Sequence, residues 1–232
     1  MPNVSLKIIA SACVLTFAAS AGAQAQANCR LGETTQWTAW SGHDNDFHDL
    51  LSLPNSDWHG LKRIANFERS NEPCRTEAVF GRMPNATRAA AEVERDSDTC
   101  NGNSRDEIEV GFDDRMEGGF ISGIRVWTSN QNNVERRRLK GMRARVQMVT
   151  EDCDLVGFSW SASSSDVFSD NGVEYTATAL SPLTTQETRA NADRRHSFAN
   201  CPDGWIASGV QMAHGARGVS GMRLQCREVL PR

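Results

Sequence analysis

The sequence predicts an all-β protein assembled from repeated pairs of strands, and three observations carry that prediction. The first is a duplicated skeleton. Cys201-Pro202-Asp203-Gly204-Trp205-Ile206-Ala207-Ser208-Gly209-Val210 is answered by Gly221-Met222-Arg223-Leu224-Gln225-Cys226. The same plan appears upstream as Gly118-Gly119-Phe120-Ile121-Ser122-Gly123-Ile124-Arg125-Val126-Trp127, followed by Leu139 to Val146. A repeat constrains architecture before any other signal does. The second observation is alternation. Ile206, Ser208, Val210 and Met212 interleave with Ala207, Gly209 and Gln211, and Met222, Leu224 and Cys226 interleave with Arg223, Gln225 and Arg227. A period of two marks a strand with one face buried. The third is glycine placement: Gly123 and Gly209 sit mid-strand, and Gly141 and Gly221 sit near the starts of the partner strands. A mid-strand glycine weakens a strand unless a bulge or a close backbone approach needs it, so matched glycines predict a sheet that bends toward a closed or prism-like shape.

From the N-terminus, Lys7, the apolar run Ile8 to Ala19 and the small residues Ala21-Gly22-Ala23 and Ala23-Gln24-Ala25 read as an export signal spanning residues 1–27. No other apolar stretch approaches membrane length, so no span is expected. Removing the signal removes Cys13 and leaves Cys29, Cys74, Cys100, Cys153, Cys201 and Cys226. An even count in an exported chain implies disulfides, and six cysteines allow fifteen pairings. The repeat singles out Cys201–Cys226. Cys74–Cys100 is a plausible local pair, and Cys29–Cys153 follows by elimination. Without a Cys-x-x-Cys pair, a zinc-thiolate site is disfavoured. About 205 residues remain, enough for a single β-rich domain over residues 28–232.

Next comes the densest group of possible ligands, His43-Asp44-Asn45-Asp46-Phe47-His48-Asp49, followed by Asp57-Trp58-His59. Imidazoles and carboxylates in this density suit a divalent metal, with His43, Asp46 and His48 as candidates, or acid–base chemistry. The spacing matches no metalloprotease helix, and a solvated loop is the competing reading. Residues 74–100 are the candidate third repeat unit, with Ala78-Val79-Phe80-Gly81 as its first strand. Ala and Arg content allows a short helix around Ala86 to Val93. Asp96-Ser97-Asp98-Thr99-Cys100-Asn101-Gly102, closing at Glu107, nearly spells a calcium-binding EF-hand loop, with Asp96, Asp98 and Glu107 as ligands. Gly102 falls one place late, and Cys100 occupies a ligand position that a disulfide also claims.

Units near 118–146 and 201–226 follow, with further strands expected over Leu155 to Trp160 and Val173 to Ala179. Asn-, Ser- and Asp-rich loops lie between them, at Thr128 to Asn133, Ser161 to Gly172 and Thr184 to Asp193. Such loops carry function on rigid β scaffolds. In the basic run Arg136 to Arg145, alternate residues of a strand share a face, so Arg143 and Arg145 line one side and could grip an anionic polymer. A solvated face balanced by the acidic stretch Glu92 to Glu117 is the alternative.

The Cys-Pro-x-Gly turn at Cys201 to Gly204, the aromatic-led strand ending in Ser208-Gly209, and the closing Gly221-Met222-Arg223-Leu224-Gln225-Cys226 resemble the repeat of the vitelline membrane outer layer family. Gln36-Trp37-Thr38-Ala39-Trp40-Ser41 resembles the Trp-x-x-Trp segment that precedes such repeats. The match is good over Cys201 to Cys226 and fair over Gly118 to Val146. The loop from Val210 to Gly221 is shorter than the family's and lacks its acidic Gly-Asp-Asp run. The resemblance implies a β-prism of three four-stranded Greek-key sheets, shared with jacalin-type lectins, and with it a carbohydrate-related role. No family binding residue carries over.

Functionally, a net charge of −4 gives nucleic acid no evident footprint. Six tryptophans against one tyrosine suit sugar stacking, since pyranose rings present apolar C–H faces. Trp58 with Asp57 and His59, and Trp127 beside Asn130 and Asn132, are the candidate ligand-binding groups. Core packing is the competing role for any one of these rings, above all Trp205 and Trp160. There is no Gly-x-Ser-x-Gly elbow for nucleophilic catalysis. The sequence therefore reads as a secreted or periplasmic binding protein for a glycan or another, anionic surface polymer, without catalytic residues or a required cofactor. A carboxylate-dependent hydrolase or glycosyl-transfer enzyme and a structural envelope protein are the alternatives.

Overall fold

The computed structural model describes residues 29–69, 72–86, 89–90, 92–100, 106–112, 118–129, 131–157, 167–170, 173–178 and 193–232. The expected export signal, Asn130, Trp160 and most of the loops 161–172 and 184–193 lie outside these residues. Among the described residues the structure is all-β, and the only helical element is a single 3-10 turn at Val134–Arg136.

Three antiparallel sheets make up the fold. Sheet 1 is formed by β1 (Cys29–Trp37), β2 (Ser41–Gly42), β3 (Phe47–Ser52), β15 (Trp205–Gly215) and β16 (Gly218–Pro231). Sheet 2 contains β4 (His59–Arg69), β5 (Glu72–Arg82), β6 (Glu92–Asp98), β7 (Asp106–Phe112), β11 (Val167–Asp170) and β12 (Val173–Thr178). Sheet 3 contains β8 (Gly119–Ser129), β9 (Leu139–Val149), β10 (Leu155–Gly157), β13 (Asp193–Arg195) and β14 (Ala199–Asn200). Each sheet is centred on one long hairpin: β4–β5, β8–β9 and β15–β16.

The strand orders reveal the repeat. Sheet 2 runs β7-β4-β5-β6 and sheet 3 runs β13-β8-β9-β10. In both, the fourth strand returns beside the first, which is the Greek-key order. Sheet 1 runs β3-β15-β16-β1. This is the same order, with the first two strands drawn from the C-terminal part of the chain and the last two from residues 29–52. The third central hairpin is His59–Arg82, so residues 74–100 hold its second strand and the strand beside it.

The mid-strand glycines do mark bulges. All three central hairpins slip register at an equivalent place, between Leu61 and Arg63, Ile121 and Gly123, and Ala207 and Gly209. The extra residues are Lys62, Ser122 and Ser208. Ser122 Oγ donates to the Arg145 carbonyl at 3.4 Å, and Ser208 Oγ donates to the Gln225 carbonyl at 3.2 Å. A bulge leaves a ladder group unpaired and bends the strand, and here a serine hydroxyl partners it in two copies. In the third copy Lys62 reaches Glu92 instead.

Counting from the bulges, Gly60, Phe120 and Ile206 are equivalent positions, and they meet where the three hairpins begin. Phe120 and Ile206 are fully buried there with Leu31, Met83 and Val229. A Cβ added at Gly60 would lie 2.5 Å from Phe120 Cδ1 and 2.7 Å from Ile206 Cδ1, so two large side chains fill the space of three. Farther along, Ile64, Ile124 and Val210 continue the shared core with Val126, Met142, Met212, Met222 and Leu224. Each such buried side chain stabilises the fold by roughly 1.5–3 kcal/mol.

All three expected disulfides are present. Cys201–Cys226 bridges the start of the β15 hairpin, Cys74–Cys100 ties β5 to the segment after β6, and Cys29–Cys153 joins β1 to the turn after β9. Three cystines belong to an oxidising compartment. No helix among the described residues is long and apolar enough to cross a membrane.

Two expectations are corrected. The described residues between Ala86 and Val93 form no helix. Asn85 takes a left-handed φ of 61° in a turn after β5, and Glu92 and Val93 then pair with Gly81 and Phe80 as an edge strand. Nor do the described residues 96–100 turn as a calcium loop does; residues 101–105 of the expected loop lie outside the described residues. Asp96 and Asp98 lie on extended β6 opposite Glu77 and Arg75, and Cys100 is committed to its cystine. The ladder to β5 and the disulfide both oppose the tight turn that calcium ligation needs.

Candidate functional site: the outer face of sheet 1

Strand alternation divides sheet 1 into two faces. Leu51, Val210, Met212, Met222 and Leu224 point into the core. Leu50, Gln211 and Arg223 form one register row across the other face, and Thr35 with Arg227, and Trp37 with Gln225, form neighbouring pairs. A groove of about 350 Å³ runs over this face. Its lining is largely polar: Glu33, Thr35, Ser52, Asp57, Ser208, Gln225 and Arg227, with Leu50, Leu53 and Pro54 as the apolar part. The bulge brings Ser208 to the groove. Gly209 keeps its centre low, because a Cβ there would stand 2.9 Å from Ser52 Cβ and 3.0 Å from the Leu51 carbonyl.

At one end of the groove Arg227 is a fixed strut. It is only 6% exposed. Its guanidinium donates to the backbone carbonyls of Gly32, Leu31 and Ser56, and Nη2 pairs with Asp57 Oδ1 at 2.6 Å. The Asp57 carboxylate, still half exposed, is thereby held in one orientation at the groove wall. In the adjoining register positions of this face, outside the groove lining, the Arg223 guanidinium lies 4.6 Å from the Trp37 ring centre and 4.7 Å from that of Trp40. Its Nε donates to Gln211 Oε1 at 2.7 Å. Trp40 stacks on His48 with ring centres 5.0 Å apart, and His48 Nε2 meets Asp44 Oδ1 at 2.7 Å. The result is one continuous stack, Trp37-Arg223-Trp40-His48, ending in an indole that is 40% exposed. Cation–π contacts of this kind each contribute about 0.5–1 kcal/mol at exposed sites, so the platform is ordered before any ligand arrives.

The residues singled out from the sequence are dispersed. Asp57 lines the groove. Its neighbours do not: Trp58 packs against the Phe120–Ile206 cluster, and His59 is buried, bonded to Ser56 Oγ at 2.6 Å and to the Ala90 carbonyl at 2.9 Å. Trp127 lies half buried on sheet 3, beneath the Arg143 guanidinium, while Asn132 is exposed in the following loop. His43 and His48 are separated in their bonding, His43 to Arg137 and His48 to Asp44, and Asp46 is exposed. Glu107 lies on β7 opposite Phe67. Among the described residues no three His, Cys, Asp or Glu side chains gather as a metal site. Glu33, Leu50, Gln211, Arg223 and Gln225 were missed as a group. For Gln211, Arg223 and Gln225 the one trace in the sequence is the polar half of the alternation along β15 and β16.

A second cluster closes the far end of the hairpins. His43 and His196 meet edge to face at 5.1 Å, His43 Nε2 accepts from Arg137 Nη1 at 2.8 Å, and His196 Nε2 pairs with the buried Thr128 hydroxyl at 2.8 Å. Burial, then His43 and the guanidinium groups of Arg137 and Arg194, lowers the His196 pKa from 6.5 to about 4. Burial and the same arginines lower His43 as well. Both rings are therefore neutral at pH 7. Unfolding exposes imidazoles that bind protons below about pH 6.5, whereas folded His196 binds one only near pH 4. Its stability contribution is complete above pH 6.5 and declines as pH falls toward 4. Urea unfolding at pH 7 and pH 5 should show this loss, and His196→Gln should lose less between those two pH values than the parent chain.

No protein-family model and no curated protein matches the sequence. Solved structures do show a similar chain course. Calystegia sepium agglutinin aligns over 86% of this chain and 98% of its own, with 8% identity and a TM-score of 0.42. Frutapin, a lectin from Artocarpus incisa, aligns over 84% and 97%, with 8% identity and a TM-score of 0.42. The mannose-binding lectin from Champedak aligns over 83% and 96%, with 6% identity and a TM-score of 0.41. At this identity no residue of the present chain takes a role from them.

Proposed function

We propose that this protein is an exported carbohydrate-binding protein whose ligand lies along the outer face of sheet 1. The observation that carries the reading is an exposed Trp37, anchored through Arg223 and Trp40, beside a shallow groove lined by hydroxyl, amide and carboxylate groups. Apolar small molecules favour deep apolar pockets. A polyhydroxylated ring needs the opposite: one flat aromatic face and convergent polar groups at its edges. Trp37 offers that face. Gln225, Ser52, Ser208, Glu33 and Asp57 offer donors and acceptors on a rigid sheet, so little side-chain freedom is lost on binding. Kinship with the vitelline membrane outer layer family belongs to the same proposal, and it rests on the Cys201 to Cys226 motif, which contributes Ser208 and Gln225 to this groove.

The test is a glycan array probed with the purified chain, followed by calorimetric titration of the best ligand. Trp37→Ala, an exposed substitution that leaves the core intact, should weaken binding by about thirty-fold or more, as loss of a central aromatic anchor does. Unaltered affinity in Trp37→Ala, or an array with no ligand, would refute the assignment. Hydrolysis of the bound glycan would transfer it to an enzyme.

A further inference from the structure

The outer face of sheet 3 is chemically different from that of sheet 1. Arg125 on β8 stands directly opposite Arg143 on β9, Arg145 lies opposite Gly123, and Arg195 on β13 lies opposite Trp127. Neighbouring strands are about 4.8 Å apart and alternate residues along a strand about 7 Å apart, so these guanidinium groups share one small patch. Like charges directly opposite on a sheet repel. Among the described residues no carboxylate pairs with Arg125, Arg145 or Arg195. Described carboxylates of the acidic stretch pair within sheet 2 instead: Glu92 with Lys62, Asp96 with Arg75 and Glu109 with Arg63. The charges of this net-negative chain are thus segregated by sheet.

The patch is also built flat. The Arg125 guanidinium lies 4.0 Å over the Phe198 ring, and Arg143 lies 5.7 Å over Trp127. Opposite Trp127 stands Gly141, and the indole lies against it: a Cβ at Gly141 would be in ordinary contact, 3.5 Å from Trp127 Cε3. Burial and the adjacent guanidinium groups of Arg195 and Arg143 lower the Arg125 pKa from its ordinary value. Stacking on Phe198 leaves the planar N–H fork of Arg125 able to meet carboxylate or sulfate in bidentate fashion.

We infer that the outer face of sheet 3 is a binding site for an acidic polysaccharide, gripped by Arg125, Arg145 and Arg195 with Trp127 and Phe198 beneath the sugar rings. This site is separate from the sheet 1 groove and does not depend on it. A polysaccharide fits better than nucleic acid. Duplex DNA carries about one charge per 1.7 Å, and its field would meet the acidic sheet 2 of the same molecule. A sugar acid with one charge per ring meets far less of that repulsion.

Immobilised polygalacturonate, dextran sulfate, neutral dextran and a single-stranded oligonucleotide distinguish the sources of negative charge. The chain should bind polygalacturonate or dextran sulfate, with affinity falling steeply as salt rises, and should ignore neutral dextran at this site. R125Q/R145Q should weaken that binding about tenfold or more. R125K/R145K, which keeps charge but loses the fork, should weaken it less. Trp37→Ala should leave it unchanged, which separates failure here from failure of the sheet 1 reading. R195Q, on a short edge strand, supplies the same test should the double variant unfold. Equal binding by the Gln variants, or tighter binding of the oligonucleotide than of both acidic polysaccharides, would overturn the inference.

Discussion

Gly60→Leu should abolish stable folding. The space beside Gly60 is already occupied by the two equivalent side chains of the other hairpins, Phe120 and Ile206, both with no solvent exposure. A Cβ 2.5 Å from Phe120 Cδ1 is a contact that packed atoms do not make, and both neighbours are enclosed in the same buried cluster. Overpacking a well-filled core costs about 1–3 kcal/mol, occasionally more. Gly60→Ala should fall within that range and Gly60→Leu well above it, against a total stability of about 5–15 kcal/mol for a typical domain. Chemical denaturation monitored by tryptophan fluorescence reads both. Phe120→Leu, itself destabilising, should partly rescue Gly60→Ala, because residues in contact are coupled. Strictly additive losses in that cycle, or a Gly60→Leu chain that unfolds at the parent's denaturant concentration, would show that the three positions do not converge.

Removing the Cys29–Cys153 disulfide should destabilise the protein more than removing Cys74–Cys100. The two bonds close segments of 124 and 26 residues, for which the chain-entropy model gives about 5 and about 3.5 kcal/mol. Topology widens the difference. Strand β1 is an edge strand paired only to β16, and it comes from the opposite part of the chain to its sheet partners. Cys29 and Cys153 are also buried with Leu31, Met83 and Phe120, so alanines there leave a cavity as well as a looser unfolded chain. Cys74–Cys100 instead pins the chain at the end of the edge strand β6 to β5, its immediate neighbour in the sheet. Paired Cys→Ala variants, compared by melting temperature under non-reducing conditions, give the order. Equal losses, or a larger loss for Cys74 and Cys100, would contradict the account.

Much of the fold was legible. The Ser-Gly steps at Ser122-Gly123 and Ser208-Gly209 announced bulges, since a glycine has few other reasons to sit mid-strand. The third bulge was hidden because Lys62-Arg63 occupies the equivalent place and its glycine, Gly111 with φ +125°, has moved to the neighbouring strand opposite Arg63. Residues 29–52 form no repeat unit of their own: they complete the β15–β16 unit, at the other end of the sequence. The candidate site was less legible still. Asp57-Trp58-His59 looked like one ligand group, yet only Asp57 reaches the groove. Trp37 and Gln225, far apart in sequence, stand side by side. Arg143 and Arg145 were read correctly as sharing a strand face, but Arg125 and Arg195 join them only through pairing.

The sequence by itself determined the strand-rich character of the chain, the inward and outward sides of each strand, and the cysteines that staple it, because alternation and spacing are properties of neighbours along the backbone. The tertiary structure alone decided which outward residues stand together: the Trp37-Arg223-Trp40 stack, the groove over Gly209 and the arginine patch of sheet 3. These depend on strand pairing between distant segments, and register is set by how three hairpins fill one axis, a condition no local stretch of residues contains.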